Sequence, residues 1–138
     1  MKFFFDRCIP IRLVRMLAAF DPEHEIVHED DDPRFDPRSE DVFIIETLAG
    51  ENPKPMFLTG DLNMRSKVPH ERKALKESGL KIVFFRKTFH NVSMEDQAVK
   101  LIKAWPAIKN ATCRCASPTV FEVTVNGKII RYCLTRAL

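Results

Sequence analysis

The sequence predicts an α/β fold, and three observations predict it. Short apolar runs alternate with amphipathic segments, the order that builds strand–helix–strand units. The first run, Lys2-Phe3-Phe4-Phe5, is too continuously apolar for a half-exposed strand and reads as buried. Aspartates follow two of the runs directly, Asp6 after KFFF and Asp61 after Met56-Phe57-Leu58-Thr59-Gly60, and open α/β sheets bind ligands at that carboxyl edge.

The elements follow in order. After the strand at Lys2–Phe5, Pro10 suits the first turn of a helix, and Leu13, Val14, Leu17 and Ala18 repeat with helical spacing until Asp21-Pro22. His24–His28 (HEIVH) predicts a second strand, parallel to the first through a right-handed crossover. A charged loop, EDDDPRFDPR, covers Glu29–Arg38. Ser39 is placed to cap the next helix, with Glu40 and Asp41 in its first turn and Val42, Ile45, Leu48 and Ala49 on its buried stripe. Gly50-Glu51-Asn52-Pro53 stops it, and Met56–Thr59 is the third strand. Beyond the basic stretch Arg65-Ser66-Lys67, Pro69 opens a short helix that Gly79 ends, and Lys81–Phe85 (KIVFF) is the fourth strand. Ser93–Lys103 predicts a helix with Met94, Ala98, Leu101, Ile102 and Trp105 on one stripe; Pro106 perturbs it, with a further turn reaching Asn110. Residues 119–133 alternate about Asn126-Gly127, a type I′ hairpin signal. The hairpin is free to extend the sheet, cover the core or pair with another chain.

At 138 residues, 45% hydrophobic and 30% charged, the chain is sized and composed for a single domain spanning 1–138 with its own core. Phe3–Phe5 is too short for a signal peptide and no apolar run spans a bilayer, so the expectation is a cytoplasmic protein with no membrane partner. The net charge of +3 hides a segregation. Residues 21–51 carry twelve acidic and two basic groups; residues 52–138 carry six acidic and sixteen basic. Basic surface beside an acidic centre suits a polyanion held by Lys and Arg, although ordinary solvated faces give the same count. Cys113-Arg114-Cys115 is spaced too tightly for a zinc pair, so Cys8, Cys113, Cys115 and Cys133 are expected as free thiols. Few glycines and no nucleophile motif argue against a nucleotide-binding enzyme or a nucleophilic hydrolase.

Asp6, Asp41 and Asp61 are the candidate catalytic residues. Clustered carboxylates raise one another's pKa, and a hard divalent cation relieves them. Each also has a plainer reading: a cap for the helix at Pro10, a helix-dipole complement, an Asx-turn at Gly60–Asn63. Asp96 reads as a helix-start residue beside Ser93. His24 and His28 read as solvated or hydrogen-bonded, and Phe89, between basic residues, is a weak candidate for base stacking.

Taken in order, MKFFFD with Ile9-Pro10, HEIVH, Ser39-Glu40-Asp41-Val42, Thr59-Gly60-Asp61, Pro69-His70-Glu71-Arg72, Ser78-Gly79-Leu80, Asp96-Gln97-Ala98 and Trp105-Pro106 make the chain resemble the PIN-domain superfamily. Within it the likeness is to the short VapC-type toxins, over roughly residues 1–106. The resemblance implies a three-layer α/β/α fold with a central parallel sheet, here with a C-terminal β-hairpin. It also implies a Mg²⁺- or Mn²⁺-dependent ribonuclease whose Asp6, Asp41 and Asp61, with Glu40 beside them, hold the metal, Asn63 or Asp96 supplying a fourth group. Arg65, Lys67, Arg72 and Lys87 would grip RNA. A cognate antitoxin is the implied partner, and homodimerisation is common among such proteins. Arg7 beside the first aspartate and Gly60 before the third depart from the usual pattern. They keep open a non-catalytic module that binds RNA or protein; a receiver-type phosphoacceptor is disfavoured because Asp6 lacks an acidic neighbour.

Overall fold

The computed structural model describes residues 1–61, 69–115, 118–124 and 126–132. In chain order these form β1 (Lys2–Phe5), α1 (Ile11–Phe20), β2 (Glu25–His28), a 3-10 turn (Glu29–Asp31), α2 (Asp41–Ala49) and β3 (Met56–Thr59). There follow α3 (Pro69–Ser78), β4 (Lys81–Phe85), the short α4 (Lys87–His90), α5 (Met94–Arg114), β5 (Val120–Val123) and β6 (Ile129–Tyr132). The strands make one sheet in the order β2-β1-β3-β4-β5-β6, parallel throughout except for the last pair. The fold is therefore α/β as expected, but its sheet is mixed: the terminal hairpin extends it, β5 continuing the parallel run and β6 turning back.

Successive phenylalanines of β1 serve opposite faces, as strand geometry requires. Phe3 and Phe5 join Leu13, Val14 and Leu17 of α1 and Leu101, Trp105 and Ile108 of α5 on one side. Phe4 joins Phe57, with Ile44, Ile45 and Leu48 of α2 and Leu75 of α3, on the other. Helices thus cover both faces, which gives three layers and explains why the strands are apolar at nearly every position. Asp21 closes one edge of this packing. Its Oδ2 accepts bonds from Trp105 Nε1 at 2.8 Å and Lys109 Nζ at 2.9 Å, and these two donors hold its carboxyl below the usual range.

Several local expectations give way to tertiary packing. α5 runs unbroken through Pro106 to Arg114, because burial of Ala104, Trp105 and Ile108 outweighs the lost backbone bond. Met94 is exposed, and Gln97 lies buried near the helix start instead. Ser39 does not cap α2; its Oγ accepts the Asp36 N–H at 2.9 Å and closes the preceding turn. Asn126-Gly127 is not a type I′ turn, which needs positive φ at both positions. Gly127 has it (76°), but its N–H donates to Thr124 O at 2.9 Å, so it is the last residue of its turn and not a central one. The short α4 falls where the sequence shows no helical period. Among the described residues, no helix is long and apolar enough to cross a membrane.

Leu17 and Phe20 test the placement of α1, since the first is fully buried and the second 59% exposed. Leu17→Ala should cost about 2–5 kcal/mol in a urea unfolding series, whereas Phe20→Ala should stay within about 0.5 kcal/mol of the parent.

Candidate active site

The chain runs from β1 to β2 on one side and then crosses to β3 on the other, so the strand order reverses between β1 and β3. Such a switch point opens a crevice at the carboxyl ends of the strands. Asp6 and Asp61 flank it. The Asp6 N–H donates to Leu58 O at 3.0 Å, carrying the β1–β3 pairing one residue past the strand. Its carboxylate then lies beside Thr59, whose hydroxyl donates to Oδ2, while the Cys8 N–H donates to Oδ1 at 3.0 Å. Thr59 Oγ1 accepts the Asp61 N–H at 3.0 Å. One threonine hydroxyl therefore ties both strand-end aspartates together. Asp6 is not a cap for α1, which has no side-chain cap; its short-range bond is the turn to Cys8.

The other carboxylates come from helix starts and from β2. Asp41 is the first residue of α2 and Glu71 lies in the first turn of α3. Burial and a hydrogen bond with the Asp41 side chain push the Glu71 carboxyl up to about 7, with the Asp41 and Asp61 charges adding to the shift. Burial likewise pushes Asp6, only 3% exposed, up to about 7; its bonds to Thr59 and Cys8 work the other way, and the charges of Glu29 and Asp41 reinforce burial. Glu29 follows β2 directly, next to Asp6 in the parallel register. It is buried, which raises its pKa, and Arg7 meets it at 2.9 Å. Burial raises the Cys8 thiol to about 12, helped by the charges of Asp6, Asp61, Asp41 and Glu29, so it is a protonated group amid carboxylates rather than a nucleophile.

Asp6, Asp41 and Asp61 thus lie close enough for their charges to bear on the same neighbouring groups. Glu29 and Glu71 were missed as members. The strand-end rule that selected Asp6 applies equally to Glu29 after HEIVH, but the acidic run behind it hid the signal. Glu71 arrives only through the packing of α3 against α2. Glu40 is exposed at the α2 cap position and makes no side-chain cap bond. Asp96 is exposed, and its N–H donates to Ser93 Oγ at 3.2 Å as a helix-start residue. Lys87 opens α4 at the same sheet edge and Arg72 lies on α3, both exposed. Arg86 is held by Glu122 at 3.0 Å. Asn63, Arg65 and Lys67 lie outside the described residues.

Arg7 does not point its charge at Asp6. It spans Glu29, Asp30 (2.7 Å) and the carbonyls of Asp36 and Pro37. Asp31 and Asp32 are paired with Arg15 and Arg34, each at 2.7 Å, so every acidic residue of the run has an arginine partner. His28 is structural: Nε2 meets Ile9 O at 2.7 Å and Nδ1 accepts the Asp30 N–H. Phe89 is 1% exposed and packs on Phe85, so it offers no face to a base. The described cysteines are free thiols. Gly60 is demanded by His90, whose Nε2 stands 2.4 Å from where a Cβ would be.

An oxygen donor set with two carboxyls holding protons near neutrality is short of positive charge, which is what a hard divalent cation supplies. The donor chemistry fits. The oxygens are at present engaged with one another, with Thr59 and with Cys8, and among the described residues no three His, Cys, Asp or Glu groups are gathered closely enough to hold an ion.

A crevice at the strand switch point lined by carboxylates is where an open α/β sheet binds its ligands. The model of a family described as PIN-like domain matches residues 1–87, and the chain belongs to that family, which lies in a superfamily of nuclease type whose domains typically use divalent metals. No curated protein and no solved structure matches the chain.

The metal-free protein should lose stability as pH rises. Below about 4 the Asp6 carboxyl is protonated in both states and the preference of the fold for the neutral form is fully present. Between there and about 7 only the unfolded chain ionises, so stability falls until the folded group ionises too. Asp6→Asn should flatten this slope and raise Tm at pH 7.5, read by thermal melts in EDTA. Gly60→Ala should destabilise by about 1–3 kcal/mol through the His90 clash, and adding His90→Ala should recover part of the loss.

Proposed function

We propose that this protein is a divalent-metal-dependent ribonuclease, the toxin of a toxin–antitoxin pair, hydrolysing RNA phosphodiesters at the Asp6–Asp41–Asp61 cluster. The observation that carries the reading is the meeting of these carboxylates and Glu71 at the switch point between β1 and β3, in a chain of the PIN-like family. Asp6, Asp41 and Asp61 would hold Mg²⁺ or Mn²⁺, with Glu71 in place of Glu40 as the neighbouring carboxylate. When bound, the cation supplies an acidified water and neutralises charge on the phosphoryl oxygens.

The chain's own residues do the rest. Thr59 fixes the Asp6 carboxylate in the crevice by donating to Oδ2, and by accepting from the Asp61 N–H it sets the spacing of the two strand ends. Glu71, its carboxyl pushed up to about 7 beside Asp41, would ionise more fully next to a bound cation. Arg72 and Lys87, exposed at the same edge, attract the RNA backbone, and Arg65 and Lys67 precede α3 in the sequence. An antitoxin would silence the enzyme by covering this edge.

A second reading, a non-catalytic module that binds RNA or protein, draws on one observation: the described carboxylates are not assembled around an ion site. Incubation with total RNA separates the two. Cleavage should require Mg²⁺ or Mn²⁺, stop in EDTA, and fall at least about 100-fold in Asp6→Ala and Asp61→Ala, with both variants still folded by circular dichroism. A folded wild type that binds Mn²⁺ no better than Asp61→Asn and leaves RNA intact would sink the nuclease reading in favour of the module.

A further inference from the structure

Beside the carboxylate cluster, between the entrances of α2 and α3, lies a cavity of about 370 Å³. It is lined by Arg38, Ser39, Glu40 and Asp41 from one side and by His70 and Glu71 from the other. Two of these, Asp41 and Glu71, are the carboxyls already placed at the candidate active site. Arg38 and His70 are different in kind. Both are exposed, and among the described residues neither side chain has a hydrogen-bond or ion-pair partner. Four other arginines, Arg7, Arg15, Arg34 and Arg86, are each held by a carboxylate. A guanidinium left open beside carboxylates that could have paired with it is available for an anion.

The turn that presents Arg38 is fixed from several sides. The Arg38 N–H donates to Asp36 Oδ1 at 2.7 Å, and the Asp36 N–H donates to Ser39 Oγ at 2.9 Å. Arg7 then donates to the carbonyls of Asp36 and Pro37, both at 3.3 Å, while pairing with Glu29. Arg7, the residue beside Asp6 that departs from the family pattern, thus fastens the turn carrying Arg38 to the end of β2. A rigid presentation of this sort lowers the ordering cost of binding.

We propose that this cavity is a subsite for one nucleotide of single-stranded RNA next to the scissile phosphate, with Arg38 taking a backbone phosphate and His70 hydrogen-bonding the same nucleotide. The proposal rests on the nuclease reading above for the identity of the polymer. The size suits it, since small-molecule sites begin at about 300 Å³. The polar lining suits it too: the open guanidinium answers a phosphate, and Ser39 and Glu40 offer partners to ribose hydroxyls or base amino groups. Neither Arg38 nor His70 would touch the reacting atoms, so both set affinity rather than chemistry.

The test is equilibrium binding of a fluorescein-labelled, mixed-sequence oligoribonucleotide in EDTA, followed by cleavage kinetics in Mn²⁺. Arg38→Ala and His70→Ala should each weaken binding about tenfold, raising KM in the cleavage assay with kcat unchanged. Arg38→Ala should also lower the slope of log K against log salt by about 0.7, one phosphate contact on a single strand. Arg38→Lys should keep most of the slope, and Lys103→Ala, on exposed α5 surface, should behave as wild type. Wild-type affinity and salt slope in both cavity variants, from an enzyme that cleaves RNA, would overturn the subsite and leave the nuclease reading standing. Weakened binding in the variants of a protein that never cleaves RNA would support the subsite and remove the nuclease. A folded wild type that neither binds nor cleaves RNA would end both.

Discussion

The Thr59 hydroxyl, shared between Asp6 and Asp61, is the contact on which the site depends. It exists because β1 and β3 are parallel neighbours with Phe5 opposite Leu58, so that the residues just beyond each strand end meet at one depth. That register is in turn enforced by the core: Phe4 and Phe57 bury on one face while Phe5 and Leu58 bury on the other. A slip of one residue would turn every one of these side chains to the wrong layer. The same apolar alternation that makes the sheet therefore aims Asp6 and Thr59 toward the α2–α3 side, where Asp41 and Glu71 wait.

The electrostatics follow from that placement. Asp6 is almost wholly buried and has no cationic partner among the described residues; hydrogen bonds from Thr59 and Cys8 do not offset the loss of water, so burial pushes the carboxyl up to about 7. Glu71 reaches the same point through burial and its bond with Asp41. By contrast the more conspicuous acidic run, Glu29–Asp32, is answered residue by residue by Arg7, Arg15 and Arg34. Each carboxylate of this run thus meets an arginine, while burial pushes the Asp6 and Glu71 carboxyls up to about 7, a setting that favours uptake of a cation.

Arg7 and Gly60, which depart from the pattern of the resembling family, both have structural accounts. Arg7 serves the loop rather than the metal position, and Gly60 makes room for His90, whose Nε2 is buried and has no hydrogen-bond partner among the described residues. Neither places a positive charge against Asp6, so neither is by itself an argument against a working site.

The strands, the start of α1 and the whole of α3 were legible in the sequence because hydrophobic period and Gly or Pro punctuation are local signals, whereas α2 buries Ile44 with Ile45 and Leu48 instead of Val42 and Ala49. The placement of Asp6 and Asp61 beyond strand ends and of Asp41 at a helix start was legible from the same local signals. Where local and global preferences compete, only tertiary structure decided: α5 continues past Pro106 because Trp105 and Ile108 are buried beneath it, and Ser39 closes a turn instead of capping a helix. The hairpin's place at the sheet edge, the membership of Glu29 and Glu71, and the cavity between Arg38 and His70 belong to the same class. Each joins residues distant in the chain, and the pairing of distant residues is fixed by how the layers pack, a quantity no local window of sequence contains.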